Sequence, residues 1–108
     1  MAEIVLKITF LSDMTETQIQ KEIIDYLTLT GGMVFRMNSG SRNYNNKQAP
    51  KGTPDLLAIL KDRVLWIEVK TPSGVVSNVQ SAKHEELRSL GQIVIVARSV
   101  DDVIKEIG

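Results

Sequence analysis

The chain has 108 residues, of which 43% are apolar, which is enough for one modest hydrophobic core and fits a single domain spanning 1–108. It has no cysteine, which excludes disulfides and thiolate metal sites, and thirteen Lys and Arg balance thirteen Asp and Glu. Its apolar runs are too short to span a membrane, and the opening MAEIVLKITF, with acidic Glu3, is a poor secretory signal. We therefore expect a cytoplasmic protein.

The N-terminal part of the chain predicts a strand, a helix and a second strand. Segment 4–10 is rich in β-branched residues, and it is either an edge strand or a dimer contact. A capping-box pattern from Thr15 to Gln18 opens a helix that continues to about Leu29, because apolar side chains recur at helical spacing. Residues 33–37 form the next short strand.

A long polar stretch over 38–52 follows and shows no apolar periodicity, so we expect a loop that is functional or disordered. From Tyr26 to Pro54 the sequence contains no acidic residue. A local positive field attracts phosphate even on a neutral protein, although an ordinary solvated loop has the same composition. The basic residues of this interval are Arg36, Arg42, Lys47 and Lys51.

The C-terminal part predicts two strands, 54–60 and 64–70, which are joined by a tight connection. A helix over 77–90, a strongly β-branched strand over 92–97 and a short helix over 101–107 follow. The full order is β-α-β-β-β-α-β-α. This order predicts an α/β fold with one mixed sheet flanked by helices.

Charged side chains interrupt the two apolar strands of this part. Glu68 and Lys70 project from the same strand face, because side chains at i and i+2 point the same way. A connection of two or four residues places Asp55 on that face as well, whereas a connection of three turns it away. In the even register two carboxylates repel each other, so a cation such as Mg²⁺ or Mn²⁺ fits between them.

Further candidate residues lie on the helices and in the loop. Glu22 flanks the apolar stripe of the first helix and is either a third acid of the site or an ordinary boundary residue. Gln80 lies three residues after Ser77, so it is either a site residue or part of a capping box. His84, one turn further on, shares the face of Gln80, although a lone helical histidine is more often solvated. Tyr44 could stack on a nucleic-acid base.

Taken together, these motifs resemble the VRR-NUC domain, the virus-type replication-repair nuclease branch of the PD-(D/E)XK superfamily. The resemblance covers roughly Thr15 to Ala97. Its motifs are Glu22, Arg36-Met37-Asn38-Ser39-Gly40, Gly52-Thr53-Pro54-Asp55-Leu56, Trp66-Ile67-Glu68-Val69-Lys70 and Ser77-x-x-Gln80. The ordered set is far more specific than a lone P-D…E-x-K match. It implies a restriction-endonuclease-like sheet and a phosphodiesterase that depends on Mg²⁺ or Mn²⁺.

The resemblance also implies a role for each matched residue. Asp55 and Glu68 would hold the metal ion, with the backbone carbonyl of Val69 as a further candidate ligand. Glu22 would complete the acidic cluster, directly or through water. Lys70 would position the attacking water and stabilise charge on the phosphate. The expected catalytic residues are Glu22, Asp55, Glu68, Lys70 and Gln80, the last supporting the site from the second helix. The residues expected to contact DNA are Arg36, Asn38, Arg42, Tyr44, Lys47, Lys51, Ser77 and His84.

Stand-alone members of this family resemble Holliday-junction resolvases and act as homodimers. The resemblance therefore implies a structure-selective endonuclease on branched or flapped DNA, in a bacterium or in the bacterial host of a phage. The alternative is a nucleic-acid-binding module that kept the fold and lost catalytic activity. A third hypothesis is a small structural domain. The complete carboxylate and lysine set argues against both, because a binder gains nothing from acids that face phosphate.

Overall fold

The structure is a computed structural model that describes residues 13–37 and 49–108. In chain order, its elements are α1 (Glu16–Leu29), β1 (Met33–Arg36), β2 (Leu56–Ile59), β3 (Val64–Val69), α2 (Asn78–Ser89), β4 (Ile93–Ala97) and α3 (Val100–Ile107). From residue 13 onward this is the order that the sequence predicts. The strand expected over 4–10 lies outside the described residues.

The two longer helices begin with the capping boxes that their sequences predict. At α1, the hydroxyl of Thr15 accepts from the backbone N–H of Gln18 at 3.1 Å, and Gln18 Oε1 accepts from the N–H of Thr15 at 2.8 Å. Ser77 and Gln80 form the same reciprocal pair at α2. Each pair satisfies two backbone donors that a helix start otherwise leaves without partners.

The strands form a mixed sheet, which within the described residues has the order β1-β2-β3-β4. The first two pairings are antiparallel, and β3 pairs parallel to β4. Parallel neighbours need a crossover, which α2 supplies. β2 and β3 pair Leu56 with Ile67 and Ile59 with Val64, so their connection over 60–63 has four residues. This is the even register, which places Asp55 opposite Glu68.

The bounds of several elements differ by one or two residues from those that the sequence predicts. β2 begins at Leu56 rather than at Pro54, since proline has no N–H to donate to a ladder. β3 ends at Val69 rather than Lys70, although the N–H of Lys70 still donates to a carbonyl of β4. α3 begins at Val100, one residue before the predicted start.

One face of the sheet forms the hydrophobic core against α1 and α3. β3 contributes every second residue to it, as a strand with one buried apolar face must. The core residues are Ile19, Ile23, Leu27, Leu56, Ala58, Leu65, Ile67, Val69, Ala97 and Val103. α2 lies on the opposite face, against β4 and the end of β3. None of the helices in the described ranges is long and apolar enough to cross a membrane.

Candidate active site

Two carboxylates meet at one end of the sheet. Asp55 immediately precedes β2, and the register of β2 and β3 sets it opposite Glu68. Asp55 Oδ2 accepts a hydrogen bond of 2.8 Å from the backbone N–H of Val69, which fixes the Asp55 carboxylate against the strand that carries Glu68. Asp55 is half-buried, whereas only 1% of the Glu68 surface is exposed.

This arrangement raises the pKa of Glu68 to about 8. Removal of the carboxyl group from water is the largest cause, followed by the charge of Asp55 and the hydrogen bond that Asp55 shares with Glu68. The ammonium of Lys70 opposes these effects, and the carboxylate of Glu16 adds to them. Without a cation, Glu68 therefore retains its proton near neutral pH, because two adjacent carboxylates cannot both ionise at low cost.

Side chains of α2 contact both oxygens of the Glu68 carboxyl group. Gln80 Nε2 donates to Glu68 Oε2 at 3.2 Å, and His84 Nε2 lies 3.1 Å from Glu68 Oε1. The two residues are four apart, so they lie on one helix face. Gln80 also caps the helix, since its Oε1 accepts from the backbone N–H of Ser77 at 2.9 Å. Its capping role and its contact with the site therefore coexist.

His84 is not the solvated histidine that the sequence favoured. Its burial also argues against the expected contact with DNA. Its ring is only 2% exposed, and it faces Glu68 instead of solvent. Burial, followed by the charge of Arg88, lowers the pKa of His84, so the neutral ring is favoured. The four-residue spacing in the sequence places Gln80 and His84 on one helix face, but the packing of α2 decides that this face meets Glu68.

Lys70 lies two residues after Glu68, just past the end of β3, and its positive charge lowers the pKa of Glu68. Its backbone N–H extends the pairing of β3 with β4. The turn that comes next is held by Arg98, whose Nη1 donates to the carbonyls of Thr71 and Gly74, both at 2.7 Å. The backbone on each side of Lys70 is thus fixed by hydrogen bonds.

Two acids of helix α1 are candidates for the third carboxylate of the site, namely Glu22, which the resemblance implies, and Glu16. Glu16 is among the charges that raise the pKa of Glu68, whereas Glu22 is not. At 3.6 residues per turn, Glu16 points about 20° from the centre of the buried stripe and Glu22 about 100° from it. Glu16 precedes Ile19 by three residues and Ile23 by seven, a spacing that is readable in the sequence. The capping box explains the same turn without any role for Glu16 in the site.

The expected DNA contacts are only partly described. Asn38, Arg42, Tyr44 and Lys47 lie outside the described residues, between Arg36 and Lys51, which are both exposed. The N–H of Met37 donates to the backbone carbonyl of Asp55 at 2.8 Å. The chain at Met37 is therefore attached to the sheet beside Asp55. The hydroxyl of Ser77, another expected contact, accepts from the N–H of Gln80 at the start of α2.

Gly52 determines the path of the backbone just before Asp55. Its φ of +85° lies in the left-handed region that favours glycine, and a Cβ there would come within 2.5 Å of the carbonyl oxygen of Val79. The chain before Asp55 therefore lies directly against the first turn of α2. Only glycine permits both the turn and this close approach.

The donor set fits an oxygen-preferring divalent ion. Among residues 13–37 and 49–108, no group of three or more His, Cys, Asp or Glu side chains converges to hold a metal. Mg²⁺, however, is commonly bound by one or two carboxylates, with water and phosphate oxygens completing its octahedron. Asp55 and Glu68 meet that requirement, because a cation between them would offset the repulsion that raises the pKa of Glu68.

Comparison with known proteins finds similarity both in sequence and in structure. No protein-family model matches the chain. A phage protein named "Putative nuclease p44", from Acyrthosiphon pisum secondary endosymbiont phage 1, is 29% identical over 87 residues, which are 80% of this chain and 85% of that protein. A solved structure described as "VRR_NUC domain" has a TM-score of 0.67 and 28% identity, and it covers 85% of this chain and 92% of its own. Another, "VRR_NUC domain protein", has a TM-score of 0.64 and 22% identity, with 87% and 85% covered.

The mixed sheet with its crossover helix is the fold of the two VRR_NUC domain structures, and the carboxylate pair lies at one end of that sheet. The structural matches and the phage relative support a VRR-NUC domain, as the resemblance of the motifs implied. The structural match and the phage relative together support a nuclease.

Proposed function

We propose that this VRR-NUC domain is a divalent-metal-dependent DNA endonuclease that hydrolyses phosphodiester bonds, preferentially in branched DNA such as Holliday junctions or flaps. The observation that carries the proposal is the convergence of Asp55 and Glu68 at one sheet end, within the electrostatic reach of Lys70. A carboxyl group that is 1% exposed and whose pKa is raised to about 8 beside a second carboxylate supports the proposal, because such groups cluster at functional sites.

In this proposal, Asp55 and Glu68 hold Mg²⁺ or Mn²⁺, with the Val69 backbone carbonyl as a further candidate ligand. When bound, such an ion polarises a phosphate and lowers the pKa of coordinated water. The ammonium of Lys70 orients the attacking water and stabilises the negative charge that develops on the phosphate. Gln80 holds the Glu68 carboxylate from α2.

A third acid from α1 completes the site in this proposal, directly or through water. The resemblance implies Glu22 for this role, and Glu16 is a second candidate because its charge also acts on the pKa of Glu68. The role is auxiliary, since both side chains are exposed. Glu22→Gln and Glu16→Gln should each slow cleavage less than loss of Asp55, and the variant with the slower cleavage identifies the third acid.

Basic residues beside the site supply the DNA-binding surface in this proposal. Arg36 and Lys51 are exposed at the two ends of segment 38–48, which contains Arg42 and Lys47. Because Met37 is hydrogen-bonded to the backbone of Asp55, phosphate bound near Arg36 would lie close to the carboxylates. A homodimer with two such sites could address two strands of one junction, which is the basis of the preference for branched DNA.

The decisive experiment compares a synthetic four-way junction with a linear duplex of the same sequence, in Mg²⁺, Mn²⁺ or EDTA. We expect metal-dependent nicking of the junction, lost in Asp55→Ala and Lys70→Ala. Lys105→Ala, which removes an exposed lysine of α3, is the matched control and should cleave like the wild type. Binding without cleavage in any metal would favour the alternative of a binding module. Absence of both would favour a structural domain.

A salt titration tests the DNA-binding surface. The logarithm of the binding constant falls with the logarithm of salt concentration by about 0.7–0.9 for each phosphate contact. Neutralising Arg42, Lys47 and Lys51 to glutamine should reduce the slope by roughly this amount for each contacting residue. Lys61→Gln, at the opposite end of the sheet, should leave the slope unchanged. Equal slopes in all variants would remove the basic segment from the proposal.

A further inference from the structure

His84 is a buried polar residue to which the proposed reaction gives no role. Its ring is 2% exposed, and its Nε2 lies 3.1 Å from Glu68 Oε1. Gln80 Nε2 donates to the other oxygen, Glu68 Oε2, at 3.2 Å. The candidate metal ligand Glu68 is therefore contacted at both oxygens by side chains from a single helix face.

We propose that His84 is a positioning residue, which holds the Glu68 carboxylate in the orientation that binds a divalent ion. The proposal rests on the metal-dependent activity proposed above and assigns one more residue to it. In the ionised state of Glu68, the Nε2–H tautomer of His84 donates to Oε1, as Gln80 donates to Oε2.

The stereochemistry of a carboxylate makes this arrangement effective. Each carboxylate oxygen has two lone pairs, so a donor from α2 occupies one and the other remains available for a cation on the Asp55 side. Hydrogen bonds of this kind fix the orientation of a ligand before the ion arrives, and their loss typically weakens metal binding about 10–100-fold. Loss of the His84 contact would also leave a buried oxygen without this partner, which is costly in a site shielded from water.

Packing alone does not account for the contact. Within 13–37 and 49–108, every buried side-chain nitrogen and oxygen has a hydrogen-bond partner. An apolar residue of similar volume would fill the space of the His84 ring but offer nothing to Glu68 Oε1. A donor of the right reach is therefore the property that distinguishes histidine here, and that property can be tested by substitution.

The experiment measures Mn²⁺ affinity by calorimetry on three variants. In His84→Gln the side-chain amide nitrogen has nearly the reach of the histidine Nε2, so its affinity should stay within about threefold of the wild type. His84→Asn is too short to reach Glu68, and His84→Leu has no donor, so both should bind Mn²⁺ about 10–100-fold more weakly. Ser81→Ala, which changes an exposed residue of α2, is the control and should bind normally.

Melting in EDTA shows which variants are folded, and the Gln and Asn pair carries the test if the Leu variant does not fold. The Mn²⁺ concentration for half-maximal nicking should rise in His84→Asn, with the rate at saturating Mn²⁺ largely retained. Equal Mn²⁺ affinity in the wild type, His84→Gln and His84→Asn would overturn this inference and leave the proposed function intact. A wild-type protein that neither binds Mn²⁺ nor cleaves DNA would overturn the proposed function and this inference with it.

Discussion

The two faces of the sheet use alternate residues of the same strands for different purposes. On the side of α1 and α3, β3 presents Leu65, Ile67 and Val69, which are all buried and apolar. On the side of α2, the intervening position Glu68 is equally buried but carries a carboxyl group. The first face stabilises the fold, and the second positions a reactive group within it. Since the alternation has a period of two, a slip of one residue would exchange the two sets of side chains.

The second face is itself divided. Its site end is covered by α2, whereas side chains of the edge strand β1 are largely uncovered, including Met33 at 60% and Phe35 at 44% exposure. Burial on this face is therefore concentrated where the carboxylates lie. This concentration is what raises the pKa of Glu68, because loss of water contact is the largest cause of that shift.

The largest expected effect comes from Glu68→Gln, which separates the two faces most sharply. The amide keeps the shape of the side chain and removes the anionic ligand, so cleavage should fall at least about 10²-fold. The melting temperature in EDTA at neutral pH should stay close to that of the wild type, because the neutral amide replaces a carboxyl group that is itself protonated there. Nicking assays and thermal melts measure the two effects. Cleavage at the wild-type rate would show that Glu68 is not part of the reacting site.

Ile67→Ala, next to Glu68, should instead reduce stability and leave cleavage largely unchanged. Ile67 is fully buried in the core, and large-to-small core substitutions of this kind cost roughly 2–5 kcal/mol of unfolding free energy. Urea titration should show this loss. Nicking per folded molecule at low temperature should remain close to that of the wild type. A variant that keeps its stability and loses its cleavage rate would contradict the division between the faces.

The pH dependence of stability tests the same division without any substitution. Because the pKa of Glu68 is raised to about 8 in the folded state, the folded protein keeps a proton that the unfolded chain releases above its ordinary pKa. Metal-free stability should therefore fall as pH rises toward 8, by up to a few kcal/mol. His84, whose pKa is lowered, acts in the opposite direction at acidic pH, so the comparison belongs between pH 6.5 and 8.

Urea titrations in EDTA at pH 6.5 and 8, on the wild type and on Glu68→Gln, measure this effect. The variant should show a clearly smaller decline over that range. Added Mn²⁺ should reverse most of the decline in the wild type, because a bound cation favours the ionised pair. Identical pH profiles for the two proteins would show that Glu68 ionises normally.

The smallest expected effect comes from Arg98, which contacts neither the core face nor the carboxylates. Its Nη1 donates to the carbonyls of Thr71 and Gly74, in the turn after Lys70. Hydrogen bonds from a charged group contribute about 1.5–3 kcal/mol, so Arg98→Met should lower stability by roughly that amount. Nicking should slow modestly, and Arg98→Lys should recover part of both losses. Unchanged melting would show that the turn is fixed without this residue.

Much of this architecture could be predicted from the sequence. The order of elements from Thr15 onward follows from capping boxes and apolar periodicity, and the mixed α/β fold is confirmed. The common face of Glu68 and Lys70 follows from strand alternation. The sequence leaves two positions for Asp55, depending on whether the connection between β2 and β3 has an even or an odd number of residues. The length of that connection depends on where the strands stop pairing.

Other features of the site required the three-dimensional structure. The burial of His84 depends on how α2 crosses β4, and no spacing within the helix specifies that path. The inward direction of Glu16 was available from its spacing to Ile19, but the capping box at the same turn offered a sufficient explanation for this part of the sequence. Periodicity thus locates residues on a face, whereas the packing of elements decides which of them meet.

The connection over 60–63 lies at the end of the sheet away from the carboxylates, about 17 Å along β3 from Val69. Lys61 and Asp62 are both exposed there. New chain termini made by circular permutation, or a fluorescent or affinity module inserted at this point, would face away from incoming DNA. Immobilisation through this connection would therefore leave the proposed active site open to DNA.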